Sequence, residues 1–381
     1  MKKILIGVLV VLVVGALVLK FINKQHKAAK SNGSSRTAQD ELAEHIKFEI
    51  EAGKKECKDT IFSPILETDI IDKKNMVYCM SFQSAWNKLI KIINGKIEYL
   101  KPNRVGEILN KNSELPEPVS ENYLFVKAGK WDEQFVAGVK KESSKFLGHD
   151  LNMQINNPPV GTIPDGNFAA FALLKKELRF KNIFNNNLEK GMTFIDKYVI
   201  SFGEKGKMIN RSAEIIDYRN DDDFIIRVFS STEEDDIILA KVEKEKTLLD
   251  ITSSVLKRWK SSNNNSFKDL DVLEMPFISL NKEVEFAELI APIENVLVDG
   301  NPSRVAEARQ KTIFGLSETG IILESASFVG IVTEGIGPEE NEKPRYLVFN
   351  KPFLILLKEK KFDMPYFVMW VGNSELMQEA K

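Results

Sequence analysis

Acid–base and nucleophilic catalysis near neutral pH call for a histidine or a comparably tuned base. The 381-residue chain has three histidines, His26, His45 and His149. His26 falls in a polar stretch and His149 stands beside Asp150 after a helical pattern, the setting of a surface histidine, so no histidine-based triad is suggested. Carboxylates are plentiful, but no pair is set apart from the many other acids. Two cysteines, Cys57 and Cys79, and three scattered histidines provide none of the close ligand pairs of a zinc site. There is no glycine-rich phosphate loop of the P-loop or dinucleotide type. The expectation is a protein that is not an enzyme and needs no cofactor and no metal. With 53 basic and 55 acidic residues the formal charge is -2, so no global field draws the chain to nucleic acid. The acidic runs Asp221 to Asp223 and Glu233 to Asp236 are expected as solvated turns. Asn32, Asn210 and Asn264 begin N-x-S triplets, which arise often by chance in Asn- and Ser-rich sequence.

The segments that would position a site begin with an anchor. Two lysines precede an almost unbroken apolar run from Ile4 to Leu19, the layout of a signal anchor or signal peptide. Such a run is just sufficient to span a bilayer. Val14 and Ala16 make only a weak cleavage site, so residues 1–23 are expected to stay as a transmembrane helix. Residues 24–45 are polar, small and unable to bury a core, hence a tether. Residues 46–381 form one domain, since no further linker is visible. The short charged N-terminus followed at once by an apolar run favours a membrane-anchored, extracytoplasmic domain. The alternative is the cytoplasmic face, favoured by Lys20, Lys24, Lys27, Lys30 and Arg36 after the span.

Within the domain, Leu42, Ile46 and Ile50 predict a first helix over Glu41 to Ile50. Trp86, Leu89, Ile90 and Ile93 predict a second, stopped by Gly95. A third spans Thr247 to Trp259, with Thr247 and Asp250 at capping-box spacing. The rest turns β-rich: Tyr123 to Val126, Phe224 to Phe229, Ile237 to Val242, Leu273 to Leu280, Ile321 to Val332, Tyr346 to Leu357 and Tyr366 to Val371. Early helices followed mainly by strands point to an α+β fold without the βαβ alternation of a parallel sheet.

The C-terminal half carries a resemblance. Phe349 to Leu357, FNKPFLILL, followed by Tyr366 to Gly372, YFVMWVG, resembles the last two buried strands of serpins. Val305 to Gly320 looks like the serpin strand that leads into the reactive loop, with Val305, Glu307, Ala308, Lys311, Glu318 and Gly320 matching residue by residue. The match runs backwards in order through Val272 to Phe277 with Leu289, the helix ending at Trp259, the strands Phe224 to Phe229 and Ile237 to Val242, and Gly206 to Met208. In the N-terminal half, Asn122 to Lys127 with a helix around Phe135 to Phe146, and Phe62-Ser63-Pro64, match in the same way. The resemblance covers most of residues 46 to 376.

The resemblance implies early helices packed on large, mostly antiparallel sheets and an exposed reactive-type loop, roughly Ile331 to Pro344, shown to a protease. In inhibitory members the cut loop inserts as a central strand and traps the acyl-enzyme. The hinge would be Glu318, Gly320, Ile321, Leu323 and Ser325. The bait bond would lie within Glu334, Gly335, Ile336, Gly337, Pro338, Glu339, Glu340 and Asn341. Where inhibitory members carry a small residue and then mostly alanines, this chain has Ile321, Ile322 and Leu323, and passing such side chains through a tight gap should be slow. Weak inhibition, or none by insertion, is expected; the alternative is a non-inhibitory serpin-fold or other surface binding module. The partner is a protease or other protein ligand, and the chain itself is expected as a monomer.

Three departures are visible. Asn156-Asn157-Pro158-Pro159 stands where serpins place a long helix across the main sheet, and adjacent prolines are poor helix interior. An insertion at Glu67 to Met76 delays the second helix, and Gln310 and Ala172 replace the His and Asn often found beneath the opening sheet. Cys57 and Cys79 flank the Phe-Ser-Pro segment and could form a disulfide in an exported domain; the alternative is two small buried thiols.

Overall fold

Apolar runs and long-range pairing put the most hydrophobic strands of the chain into one seven-stranded sheet. The computed structural model describes residues 56–150, 153–158, 167–186, 191–261, 265–298, 301–323 and 343–380. The expected anchor, the tether and the first helix at Glu41 to Ile50 lie outside these. Among the described residues no helix is long and apolar enough to cross a membrane.

The large sheet has the order β1-β2-β21-β20-β12-β11-β10. Its strands are β1 (Thr60–Ser63), β2 (Asn75–Cys79), β10 (Ala213–Asn220), β11 (Asp223–Val228), β12 (Asp235–Lys241), β20 (Phe353–Glu359) and β21 (Phe367–Val371). Four of them, β2, β12, β20 and β21, are buried at every position, which is why their centres are apolar runs and not alternations. Helix α4 (Leu248–Lys260) packs on this sheet. It starts at the expected capping box, with Thr247 Oγ1 accepting from Asp250 N and Thr247 N donating to Asp250 Oδ2.

Phe62-Ser63-Pro64 falls on or beside the outer strand β1, whereas the strand that pairs with β21 and leads into helix α1 (Ser81–Ile92) is β2. Strand β1, with the Phe-Ser-Pro resemblance at its end, is therefore an edge strand parallel to β2, and the insertion at Glu67 to Met76 leads from it into β2. The same register rules out the disulfide. Thr60 lies opposite Asn75 and Ser63 opposite Tyr78, so Cys79 lies past one end of β1 and Cys57 before the other. At about 3.3 Å per residue the offset is on the order of 20 Å, beyond the ~7 Å between Cα atoms that a bridge tolerates. Both are buried thiols.

Leu273 to Leu280 is two strands, β13 (Val272–Pro276) and β14 (Ile278–Glu285), in different sheets. Pro276 has no N–H to extend the first ladder, and Phe277 marks the crossing. Tyr346 to Leu357 splits likewise at Lys351-Pro352 into β19 (Tyr346–Val348) and β20. A four-stranded sheet joins β19, β13, β9 (Ser201–Lys205) and β6 (Asn185–Asn186). A second joins β14, β17 (Arg309–Ser317), β18 (Gly320–Leu323) and β5 (Lys176–Arg179). Beyond β5 the same run of chain forms β4 (Phe168–Leu174), paired with β3 (Leu124–Lys130).

Helix α1 lies against β3, β4 and β17 and buries Trp86. The sequence reading had no counterpart for α2 (Arg104–Asn112), capped by Asn103, whose side chain accepts from Gly106 N. Helix α3 (Glu133–Leu147) is capped by Asp132 and ends at Gly148, whose φ of 82° only glycine adopts freely. Residues 153–158 that follow contain no helix.

Candidate functional site

The expected hinge is a strand. After Ser317 the chain turns through Glu318 and Thr319 and comes back as β18, between β17 and β5. Leu316 pairs with Ile321 and Ser317 with Gly320 on one side, and Ile321 pairs with Leu178 and Leu323 with Lys176 on the other. The turn is tied down from below: Phe184 N donates to Glu318 O and Phe180 N to Thr319 O, both at 3.0 Å. Ile321 and Leu323 face inward and are buried, each burial worth about 1.5–3 kcal/mol. Ile322 points the other way, against Phe277 and Ile200. The bulky residues expected to pass slowly through the gap are thus already seated in it. Ser325 and the interval Glu334 to Asn341 lie outside the described residues.

Gly320 is required here by space and conformation. Its φ is 155°, and a Cβ would stand 2.5 Å from Leu178 O and 2.9 Å from Arg179 Cα. Gly320→Ala should therefore push β18 away from β5, at about 1–3 kcal/mol, and expose Ile321 to Leu323 to limited proteolysis. Cleavage there no faster than in the parent would show that the seat tolerates a side chain.

Below β18 the sheet is split. β17 is bonded to β14 along its length but to β18 only at Gly315–Ser317, while β4 is bonded to β3. Among the described residues no ladder joins Arg309 to Phe314 to Phe168 to Leu174, and α1 packs against both strands. Gln310, one of the two expected substitutions, reaches the start of α1 from β17, its Nε2 donating to Cys79 O at 3.0 Å and Ser81 Oγ at 2.9 Å. Its Oε1 and Thr312 Oγ1 are buried without a hydrogen-bond partner among the described residues. Ala172, the other, lies on β4, paired with Val126.

Beside the seated hinge is a buried ion cluster that the sequence reading missed. Lys176 Nζ lies 3.0 Å from Asp235 Oδ1 and 2.8 Å from Glu359 Oε1, with the Lys176 side chain 1% exposed. It also stands 3.6 Å from the centroid of the Tyr123 ring. Tyr366 OH donates to Asp235 at 3.0 Å, and Ser120 donates to Glu359 through N at 3.0 Å and Oγ at 2.5 Å. Burial pushes Asp235 above the usual carboxylate range in spite of Lys176 and Tyr366. Glu359 is also desolvated, but Lys176 and Ser120 together hold it below that range. Glu233 and Glu234 are exposed in the turn that the composition suggested, but Asp235 and Asp236 are buried at the start of β12. Among the described residues no cluster of His, Cys, Asp and Glu could hold a metal ion.

The arrangement has counterparts among solved structures. The native state of tengpin, a thermophilic serpin, superposes with a TM-score of 0.52 at 9% identity, over 89% of this chain and 95% of that one. The fold is that of the serpins. A mouse protein Z-dependent protease inhibitor aligns over 78% of this chain and 91% of its own, at 14% identity and a TM-score of 0.46. A serpin from the trematode Schistosoma haematobium aligns over 79% and 94%, at 12% identity and a TM-score of 0.46. No protein-family model and no curated protein matches the chain.

In this serpin fold the far end of the loop is pinned as firmly as the hinge. Arg345 Nε lies 3.2 and 3.1 Å from the two oxygens of Asp271, its NH2 lies 2.5 Å from Oδ2, and its own N–H donates to Oδ1 at 3.0 Å. Burial raises the Asp271 carboxyl, but Arg345 and the Lys268 and Arg345 N–H groups outweigh it and hold the group below the usual range. Tyr346 N then donates to Asp221 Oδ1, and β19 pairs with β13.

Proposed function

We propose that the chain is a membrane-tethered serpin-fold protein that presents the segment between Leu323 and Arg345 to a protein partner, a protease, which it binds or inhibits weakly. The observation that carries this is the pair of anchors: β18 is built into a sheet at one end, and Arg345 is clamped by Asp271 at the other. The described residues on either side of the segment fix its two ends, which supports its display between them. The serpin fold supports a protease as the partner. The tether and an extracytoplasmic position rest on the apolar run Ile4 to Leu19.

Weak trapping follows from a race. An inhibitor of this kind must insert its loop before the acyl-enzyme hydrolyses, and Ile321 to Leu323 have already used the part of the motion that apolar burial drives. The same seating favours the second reading, a surface binding module that does not inhibit. Incubation with a panel of serine and cysteine proteases, read on a denaturing gel, decides between them. A protease partner predicts cleavage within Glu334 to Asn341; weak inhibition predicts little covalent complex and a modest rise in melting temperature after cleavage. A stable covalent complex with a large rise would overturn the weak-inhibition reading, and no cleavage by any protease would remove the protease. Protease added to intact cells should digest the domain, and protection lost only on lysis would reverse the topology.

A further inference from the structure

We infer that the end of the seven-stranded sheet at which the chain enters the fold rests on a lipid surface, with the turn of one hairpin as the contact. The inference rests on the membrane tether of the proposed function and adds which part of the domain meets the bilayer. The described chain begins at Glu56 and goes straight into β1. From there a row of partners crosses the same end of the sheet. Asn75 N donates to Asp59 O, Gly372 N donates to Asn75 Oδ1, and Val371 lies opposite Phe353 at the start of β20. Phe353 in turn holds Phe194, with ring centroids 6.2 Å apart, on the hairpin of β7 (Met192–Phe194) and β8 (Lys197–Val199). Phe353, with the hairpin against it, stands three strand spacings from β1, about 14 Å.

The turn of that hairpin is Ile195-Asp196. Ile195 has a φ of 55°, a left-handed conformation that ordinarily goes to Gly or Asn and in which a β-branched residue is an outlier. Its side chain is nonetheless 51% exposed, so packing within the domain does not account for the choice. The backbone is held on both sides, since Ile195 N donates to Asn350 O at 2.9 Å and Ala380 N donates to Tyr198 O at 3.1 Å. A fixed turn thus carries an aliphatic side chain outward, with Tyr198, 45% exposed, next to it on β8. Ile71, 47% exposed, stands at the same end, because Lys74 N donates to Ile71 O just before β2 begins. Four lysines around them are each paired: Lys74 with Asp59, Lys244 with Asp72, Lys197 with Glu379 and Lys351 with Asp222. The contact is therefore apolar and not electrostatic. It suits a bilayer interface, where aliphatic tips dip below the headgroups and tyrosine lies among them. A chain already held at the bilayer through Ile4 to Leu19 needs only such weak contacts, because the second one is intramolecular.

The test uses the full chain in vesicles of uncharged phosphatidylcholine. Asp196→Cys places a thiol-linked fluorophore next to Ile195 without removing it, and Met364→Cys places the same probe at the opposite end of the sheet, beyond the Leu357–Phe367 pair. The native thiols Cys57 and Cys79 are buried and should take no label. Lipids carrying a shallow nitroxide should quench the probe at 196 about threefold more than the probe at 364, at low and high salt alike. Adding Ile195→Asn should remove most of that excess. Asn suits the left-handed position, so the hairpin should stay folded and the melting temperature should not fall. Equal quenching at the two sites, quenching at 196 that high salt abolishes, or an excess untouched by Ile195→Asn would each overturn the contact. An emission shift at 196 that grows with protein concentration and comes without quenching would also overturn it, giving the turn to a second copy of the chain. A chain that floats with the vesicles but shows no excess at 196 leaves the tether standing and removes the contact alone. A chain that does not float removes both.

Discussion

Lys176→Met is expected to cost about 3–5 kcal/mol, because it leaves the buried Asp235 without a cation and leaves the buried Glu359 only the exposed Lys361, 3.6 Å from its Oε2. Lys176 is the one cation within 4 Å of Asp235 among the described ion pairs, and the side chains of Asp235 and Glu359 are 2% and 3% exposed. The loss should appear as a lower urea midpoint with an unchanged m-value. Its pH dependence has a definite sign. Without Lys176 the Asp235 carboxyl, which burial already holds above the usual range, is pushed further up, so the penalty is present at neutral pH and shrinks as acid protonates it. The gap to the parent should narrow between pH 7 and pH 5. Adding Asp235→Asn and Glu359→Gln should recover much of the loss, since neutral groups of the same shape leave no buried charge. A gap that does not change with pH would show that Lys176 acts by packing alone.

Asp271→Asn should be the second large effect, about 2–4 kcal/mol, less than a fully buried pair because Arg345 is partly exposed. The parent carries a carboxylate held below its unfolded value of about 3.9. That stability is present above about pH 4 and is lost as pH falls through the lower folded value. The Asp271→Asn protein should lack that acid step, and its strand β19 should be cut by added protease under conditions where the parent is intact. Identical acid titrations of the two proteins would show that the clamp is not what anchors this end of the loop.

Legibility in the sequence followed the range of the interactions. Helix α4 could be read to within a residue because Thr247, Asp250 and the apolar stripe from Leu248 to Leu256 are all local. Strands β20 and β21 were visible as apolar runs, although only pairing shows that Tyr346 to Leu357 serves two sheets. Helix α2 went unseen because it has nine residues and only Val105, Ile108 and Leu109 to mark its face. The edge position of the Phe-Ser-Pro segment could not be read because a local match says nothing of neighbours, and β2, not β1, pairs with β21. Lys176 sits in the polar-looking run KKELR and gives no hint of burial, which comes from Asp235 and Glu359, far away in the chain. At the expected hinge, side-chain size was taken as a barrier where the register makes Ile321 and Leu323 part of the core.

The position of β21 has a consequence for synthesis. It lies between β2 and β20, yet the ribosome makes it after every other strand of that sheet. The bond from Gly372 N to Asn75 Oδ1 closes a separation of 297 residues. At about 5–20 residues per second, β2 waits on the order of 15–60 s for its neighbour after it is translated. During that interval β2 presents an apolar, unpaired edge in the middle of what will become the core, joined near its end by that of β20, a template for other chains. A nascent chain of this protein is therefore a natural client for chaperones, and one released before Phe367 would carry both edges permanently.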